Sequence, residues 1–283
     1  MTTIPTRTLN DGNEIPAIGF GTYPLTGDEG YQAVRSALDN GYRLLDSAVN
    51  YKNEVEVGRA ARDWLDDNGM DRDELTIQTK LPGRHHDYHL AIASVEESLE
   101  RLGLQRIDVL LIHWPNPITN KYRDAWRALV DLRASGVVRT IGVSNFTAQH
   151  LADIVEASGE TPAINQIELH PYFIQEQMRG EHQQRGILTQ SWSPLGKSQA
   201  PFEEPAVAQA AEAHDVTPAQ VILRWQVQLG SVPLPKSATP ERQAANLDVF
   251  DFELTEAEMA AIAGLHREDG RLFGGDPNTH EEM

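Results

Sequence analysis

The chain has 283 residues, a length suited to one closed α/β barrel, and no cysteine, which excludes disulfide scaffolds, thiolate metal sites and cysteine nucleophiles. Lysine plus arginine number 24 against 42 aspartates plus glutamates. The resulting net charge of −18 repels nucleic acid and anionic membrane at long range, while leaving room for a local basic pocket that holds a phosphate.

The N-terminal run MTTIPTRTLNDG has no basic stretch followed by an apolar one, so no secretory leader is read there. No window reaches about 18 apolar residues, the length a spanning helix requires. A cytoplasmic, monomeric protein with no nucleic-acid or membrane partner is the expectation. Ile4–Leu9, then Asp11-Gly12, then Ile15 predicts an N-terminal β-hairpin. Short apolar runs follow at Ile15–Phe20, Arg43–Leu45, Leu75–Thr79, Ile107–Ile112, Val138–Val143, Ile164–Leu169, Leu188–Trp192 and Ser231–Leu234. Several are continuously apolar, as strands covered on both faces are.

Helical stripes lie between them. Val57, Ala61, Trp64 and Leu65 form one; Ile92, Val95, Leu99 and Leu102 a second; Tyr122, Trp126, Leu129 and Val130 a third. Leu151, Ile154 and Val155 make a shorter one, and Val221, Ile222, Trp225 and Leu229 a late one. Asp87 reads as the cap of the helix that carries the second stripe. Thr217-Pro218 and Thr239-Pro240 read as an N-cap followed by a first-turn proline, and Thr255 with Glu258 as a capping box. Eight strands alternating with helices predict a (β/α)₈ barrel over residues 1–283, with the hairpin and accessory helices added. A doubly wound sheet competes, but Gly19-Phe20-Gly21-Thr22 lacks the third glycine of a dinucleotide loop.

The working face of such a barrel is the C-terminal end of its strands. Asp46, Lys80 and His113 close the second, third and fourth strands, and Tyr51 follows in the loop after Asp46. Each has a plain structural reading: Asp46 as a turn cap, Lys80 as a solvated end, His113 as a packing residue, Tyr51 as an amphipathic edge. Together they make chemical sense. A lysine ammonium beside a phenol is expected to lower its pKa, and an aspartate keeps that lysine charged and aimed. A neutral histidine hydrogen-bonds the same substrate oxygen. The set fits general-acid reduction of a carbonyl.

Other constellations are weaker. Glu54 and Glu56 leave a glycosidase-like pair open. His85 and His89 on one helix face read as packing or solvated side chains rather than metal ligands, and no ligand trio is evident. Gly142-Val143-Ser144-Asn145 is not a nucleophile elbow. A metal-dependent hydrolase or isomerase using His113 and Glu168 stands as the enzyme alternative. A regulatory protein that retains the site with negligible turnover stands as the other.

Four motifs carry a family resemblance. They are Gly41-Tyr42-Arg43-Leu44-Leu45-Asp46-Ser47-Ala48 with Tyr51-Lys52-Asn53-Glu54; Ile112-His113-Trp114-Pro115; Ile141-Gly142-Val143-Ser144-Asn145-Phe146; and Leu234-Pro235-Lys236-Ser237 with Arg242 and Asn246. On these the chain resembles the aldo-keto reductases, above all the short bacterial branch that includes 2,5-diketo-gluconate reductases. The resemblance implies a (β/α)₈ barrel that binds NADPH across its mouth and reduces a small carbonyl substrate. By motif, Tyr51 is implied as general acid, Lys80 and Asp46 as its tuning pair, and His113 as the group that orients the carbonyl. Ser144, Asn145 and Gln166 are implied for the nicotinamide carboxamide, Trp192 for stacking on its ring, and Ser193, Leu195 and Gly196 for the pyrophosphate loop. Lys236, Ser237 and Arg242 are implied as the 2′-phosphate clasp and Asn246 as an adenine contact. Tyr23, Trp114 and Phe20 are expected as apolar walls. The chain departs from the family at Ala245, where a glutamate often precedes the adenine-site asparagine, at Leu81-Pro82 after Lys80, and in its short tail from Arg271 to Pro277.

Overall fold

The computed structural model describes residues 4–282; residues 1–3 and 283 lie outside the described residues. Strands β1 (Thr6–Thr8) and β2 (Glu14–Pro16) pair antiparallel as the predicted hairpin. The barrel strands follow: β3 (Phe20–Gly21), β4 (Leu44–Asp46), β5 (Thr76–Leu81), β6 (Ile107–Ile112), β7 (Val138–Ser144), β8 (Ile164–Glu168), β9 (Leu188–Trp192) and β10 (Val232–Pro233). They form one parallel 8-stranded sheet in sequence order. Gly19 N and Gly21 N donate to the carbonyls of Pro233 and Pro235 at 3.0 Å each, which joins β3 to β10 and closes the barrel.

Helices α1 (Gly27–Asn40), α2 (Glu54–Asn68), α3 (Tyr88–Leu102), α4 (Tyr122–Ala134), α5 (Ala148–Ser158) and α6 (Glu176–Arg185) each follow one strand from β3 to β8. Between β9 and β10 stand α7 (Pro205–His214) and α8 (Pro218–Gln228); after β10 come α9 (Pro240–Leu247) and α10 (Glu256–Ala263). Asp87 caps α3 through His89 N, and Thr217 and Thr255 form complete capping boxes on α8 and α10. Thr239 precedes Pro240 at α9 without a side-chain cap bond. Helix α6, EQMRGEHQQR, has no apolar stripe and buries only His182, so periodicity does not reveal it.

One predicted strand is split. Ile15 belongs to the hairpin, and only Phe20–Gly21 enters the barrel. The intervening residues stay buried, and a Cβ on Gly19 would lie 2.6 Å from the Leu44 and Leu234 side chains. The apolar run therefore reports burial through a bend rather than continuous pairing. The hairpin plugs the N-terminal end of the barrel: Leu9 and Ile15 pack with Leu44, Val109, Leu111, Ile164, Val232 and Leu234. Asp11 accepts from Thr140 Oγ1 at 2.8 Å on the same end.

Strand alternation sorts the interior into levels. On β5, Ile77 and Leu81 join the outer core, which leaves Gln78 and Lys80 on the inward face. Register places Asp46 beside Gln78 and Gln166 beside Gln190. The inner face thus runs from an apolar floor through a belt of glutamines to charged residues at the mouth.

Candidate active site

Asp46, Lys80 and Tyr51 come together at that mouth as expected. Lys80 is fully buried. Its Nζ donates to Asp46 Oδ1 at 2.6 Å, to the Ser47 carbonyl at 2.9 Å and to Tyr51 Oη at 3.3 Å. Three acceptors match the three N–H bonds of an ammonium. Tyr51 reaches this point because Val49–Tyr51 forms a single tight turn after β4, closed by Lys52 in the left-handed region at φ 55°. The His113 ring stands edge-on to Tyr51, with centroids 5.6 Å apart.

Asp46 rests on the glutamine belt. Gln78 and Gln166 both donate to its Oδ1, Gln166 at 3.1 Å, and Gln190 exchanges hydrogen bonds with Gln78. Gln78 and Gln190 were not singled out in the sequence, although they share the inward face of their strands with Lys80 and Trp192. A buried charge pair is stable only when its remaining lone pairs find donors, and these amides provide them.

The expected effect of Lys80 on Tyr51 is corrected. Burial, then the carboxylates of Asp46 and Glu282 and the Tyr23 phenol, push the Tyr51 hydroxyl well above its ordinary range. The phenol therefore waits protonated. Burial also lowers Lys80, against the opposing pull of the Asp46 and Glu282 carboxylates.

The remaining residues line or border a cavity of about 680 Å³. Tyr23, Tyr51, His113, Trp114, Asn145, Gln166, Trp192, Ser193, Leu195 and Lys236 are on its wall. Trp192 Nε1 donates to Asn145 Oδ1 at 2.8 Å, which fixes the indole, and Phe273 lies tilted against it at 5.6 Å between centroids. Gly196 takes φ +76°, turning the loop after β9 back over the mouth. Ser144 is fully buried beneath the cavity, with its Oγ donating to the Gln166 carbonyl at 2.8 Å. Asn145 spends its amide on the His113 carbonyl and Ser144 Oγ, at 3.0 Å each. Of the three residues implied for a carboxamide, Gln166 alone keeps an unengaged side-chain oxygen at the cavity, because its nitrogen serves Asp46 and Gln190. Phe20 is corrected from wall to core: it is 1% exposed and packs edge-on to Tyr42.

Lys236 opens the loop between β10 and α9, and Arg242 lies in the first turn of α9. Both are exposed, and among the described residues neither has an ion-pair or hydrogen-bond partner. Ser237 and Asn246 are buried beside them. Gln243 holds this loop, donating to the carbonyls of Ser237 at 2.8 Å and Ala33 at 3.0 Å. Ser237, Arg242 and Asn246 do not line the central cavity; they adjoin it through Lys236. Two cations without a counter-charge among the described residues thus stand on this side in a chain of net charge −18.

Other candidates disperse. Glu54 is buried on Thr79 and Arg101, and Glu56 accepts from Gly27 N, so they form no acid pair at the mouth. Glu168 pairs with His170 at 2.9 Å and accepts from Leu272 N at 2.8 Å, rather than meeting His113. His85 bonds Ser94, and among the described residues no trio of His, Asp or Glu converges. Phe273, Lys197 and Glu282 are site residues that the sequence did not reveal. Phe273 and Lys197 line the cavity, and Glu282 lies against His113. Phe273 and Lys197 stand in a tail and a loop without periodic pattern, and Glu282 has no motif around it.

Residues 17–267 match the Aldo/keto reductase family. The chain belongs to that family. It is 53% identical over its full length to 2,5-diketo-D-gluconic acid reductase B of Corynebacterium sp., itself fully covered. An aldo-keto reductase of Mycolicibacterium vanbaalenii is 47% identical over 98% of this chain and 97% of its own. Among solved structures, a Gox0644 variant in complex with NADPH superposes with a TM-score of 0.93 at 41% identity, covering 99% of this chain and 100% of its own. A Bombyx mori aldo-keto reductase in complex with NADP has a TM-score of 0.89 at 35% identity, covering 94% of both chains. This aldo-keto reductase is thus an oxidoreductase whose tetrad residues meet at one end of a closed barrel.

Proposed function

We propose that this aldo-keto reductase uses NADPH to reduce small aldehydes, dicarbonyls or keto-sugars, with Tyr51 as the general acid. The observation that carries the assignment is the chain from buried Asp46 and Lys80 to half-buried Tyr51, joined at 2.6 and 3.3 Å beside His113. NADPH, when bound, supplies the hydride. The chain's residues fit that cofactor: Trp192 offers a fixed aromatic face, Gln166 an unengaged acceptor for the carboxamide, and Lys236 with Arg242 an unpaired clasp for the 2′-phosphate. Asn145 and Ser144 stand with Gln166 at the carboxamide end, Ser193, Leu195 and Gly196 border the pyrophosphate path, and Ser237 and Asn246 complete the adenosine end.

Tyr51 gives its proton to the carbonyl oxygen as that oxygen gains charge. Lys80, hydrogen-bonded to the phenol, stabilises the phenolate left behind, and Asp46 keeps the ammonium in place. His113 holds the substrate oxygen from the other side, while Tyr23 and Trp114 wall the cavity. We also read the chain as a cytoplasmic monomer. Its acidic charge and the scatter of exposed apolar side chains support this, and no described helix is long and apolar enough to cross a membrane.

The test is NADPH consumption against a panel of small carbonyl compounds, with Tyr51→Phe as control. The substitution is expected to cost roughly 100-fold or more in turnover, the scale of a positioned acid. NADPH affinity should stay unchanged. Equal turnover in both proteins refutes the assignment.

A further inference from the structure

The end of the chain returns to the tetrad. Glu281 accepts from Ile118 N at 2.7 Å and Thr119 Oγ1 at 2.6 Å. The Glu282 main chain pairs with the Asn116 side chain, N to Oδ1 at 3.1 Å and O from Nδ2 at 2.6 Å. This docking sends the Glu282 side chain inward, where only 12% of it remains exposed. Its Oε1 accepts from Asn50 Nδ2 at 2.7 Å and its Oε2 from Gly83 N at 3.3 Å. A Cβ on Gly83 would lie 2.3 Å from the Glu282 carbonyl oxygen, so the tail needs glycine beneath it. One carboxylate thus joins the loops after β4, β5 and β6, which also carry Tyr51 and His113.

That carboxylate has one further neighbour. Oε1 lies 2.7 Å from His113 Nδ1, a buried nitrogen with no aligned hydrogen-bond partner among the described residues, so the contact is one of charge proximity. Burial pushes the Glu282 carboxyl up, but the His113 imidazole, the Asn50 amide and Gly83 N–H outweigh it and hold it below the usual range. Tyr51, Lys80 and Asp46 stand on the cavity side of His113, and His86, Arg84 and His280 complete the titratable surroundings of the tail.

A carboxylate against one edge of a histidine ring fixes its orientation and turns the other edge to the reaction. We propose that Glu282, next to last in the chain, is a positioning residue for carbonyl reduction. It fixes His113 with Nδ1 against its carboxylate and the opposite edge of the ring on the cavity side, so that the ring meets the substrate oxygen in one orientation. The transferred proton still comes from Tyr51. The inference rests on His113 as the group that holds the substrate oxygen.

The test uses the full-length enzyme with NADPH and one reducible aldehyde, comparing Glu282→Gln, Glu282→Asp, His113→Gln and the Glu282→Gln/His113→Gln pair. Glu282→Gln is expected to lower kcat about tenfold, a fraction of what a positioned acid–base group contributes. Its NADPH affinity, read by tryptophan fluorescence, should stay that of the native enzyme, and Glu282→Asp should recover most of the loss. In the His113→Gln background the Glu282→Gln change should add nothing, because the two residues act as one unit. Full activity of Glu282→Gln, an equal loss in the His113→Gln background, or a matching fall in NADPH affinity each overturn the proposal. A Tyr51→Phe protein with native turnover would sink the reaction itself. An inactive Tyr51→Phe beside a fully active Glu282→Gln would sink this inference alone.

Discussion

The two sides of the barrel mouth are built on opposite electrostatic plans. On the side of β4, β5 and β6 every charge near the tetrad has a protein partner: Lys80 with Asp46, Glu282 with His113, and Asp46 again with the glutamines below. On the side of β10 and α9, Lys236 and Arg242 stand in solvent without a counter-charge. The first side is finished before any ligand arrives, so its geometry is ready for chemistry. The second keeps its cations unpaired, and in the proposed function that charge serves binding.

Breaking the finished side should cost most. Lys80→Met leaves Asp46 buried with no counter-ion, and removing one member of such a pair typically costs about 3–5 kcal/mol. Urea unfolding should show that loss, together with a fall in turnover of roughly 100-fold or more. A Lys80→Met protein of native stability would mean that the two sides are not built differently. The clasp should answer in the reverse sense. Arg242→Ala removes an unpaired cation, so stability should hold while NADPH affinity falls about tenfold or more, the scale of one charge-assisted hydrogen bond. NADH, which lacks the 2′-phosphate, should bind as before; equal losses for both would remove Arg242 from the clasp.

A pH series sharpens the contrast with a smaller effect. His86, buried beside the tail, has no hydrogen-bond partner for either nitrogen among the described residues, and burial lowers it to about 4. An unfolded histidine titrates near 6.5, so between those two values the unfolded chain binds the proton and the folded chain does not. Stability should therefore fall as pH drops through that window, by about 1.4 kcal/mol per pH unit from this residue. Denaturant unfolding of native and His86→Met protein should show a shallower acid decline in the variant. Parallel declines would assign the acid sensitivity elsewhere.

Much of the frame was readable from local pattern. The alternation of apolar runs with helical stripes led to eight strands, and Asp46, Lys80 and His113 were visible because a strand end is a property of its own few residues. Asp87, Thr217 and Thr255 capped where their spacing said they would. The errors share one cause. The run Ile15–Phe20 looked like one strand because apolarity signals burial whatever the backbone pairs with. The hydrogen bonds of Ser144 and Asn145 to Gln166, His113 and Trp192 were not legible either, because they join residues from different strands. Tyr51 was expected to be made more acidic by Lys80, since a list of neighbours omits the desolvation that burial adds.

Spacing along the chain was enough to determine the eight-fold alternation, the hairpin and the identity of three groups at strand ends, because periodicity and capping act over a few residues. Closure decided the rest. Only the folded barrel brings Gln78, Gln166 and Gln190 beneath one carboxylate, leaves Lys236 and Arg242 unpaired, and lays Glu282 against His113. Those contacts join residues far apart in sequence, and their energies depend on how much water the finished fold excludes.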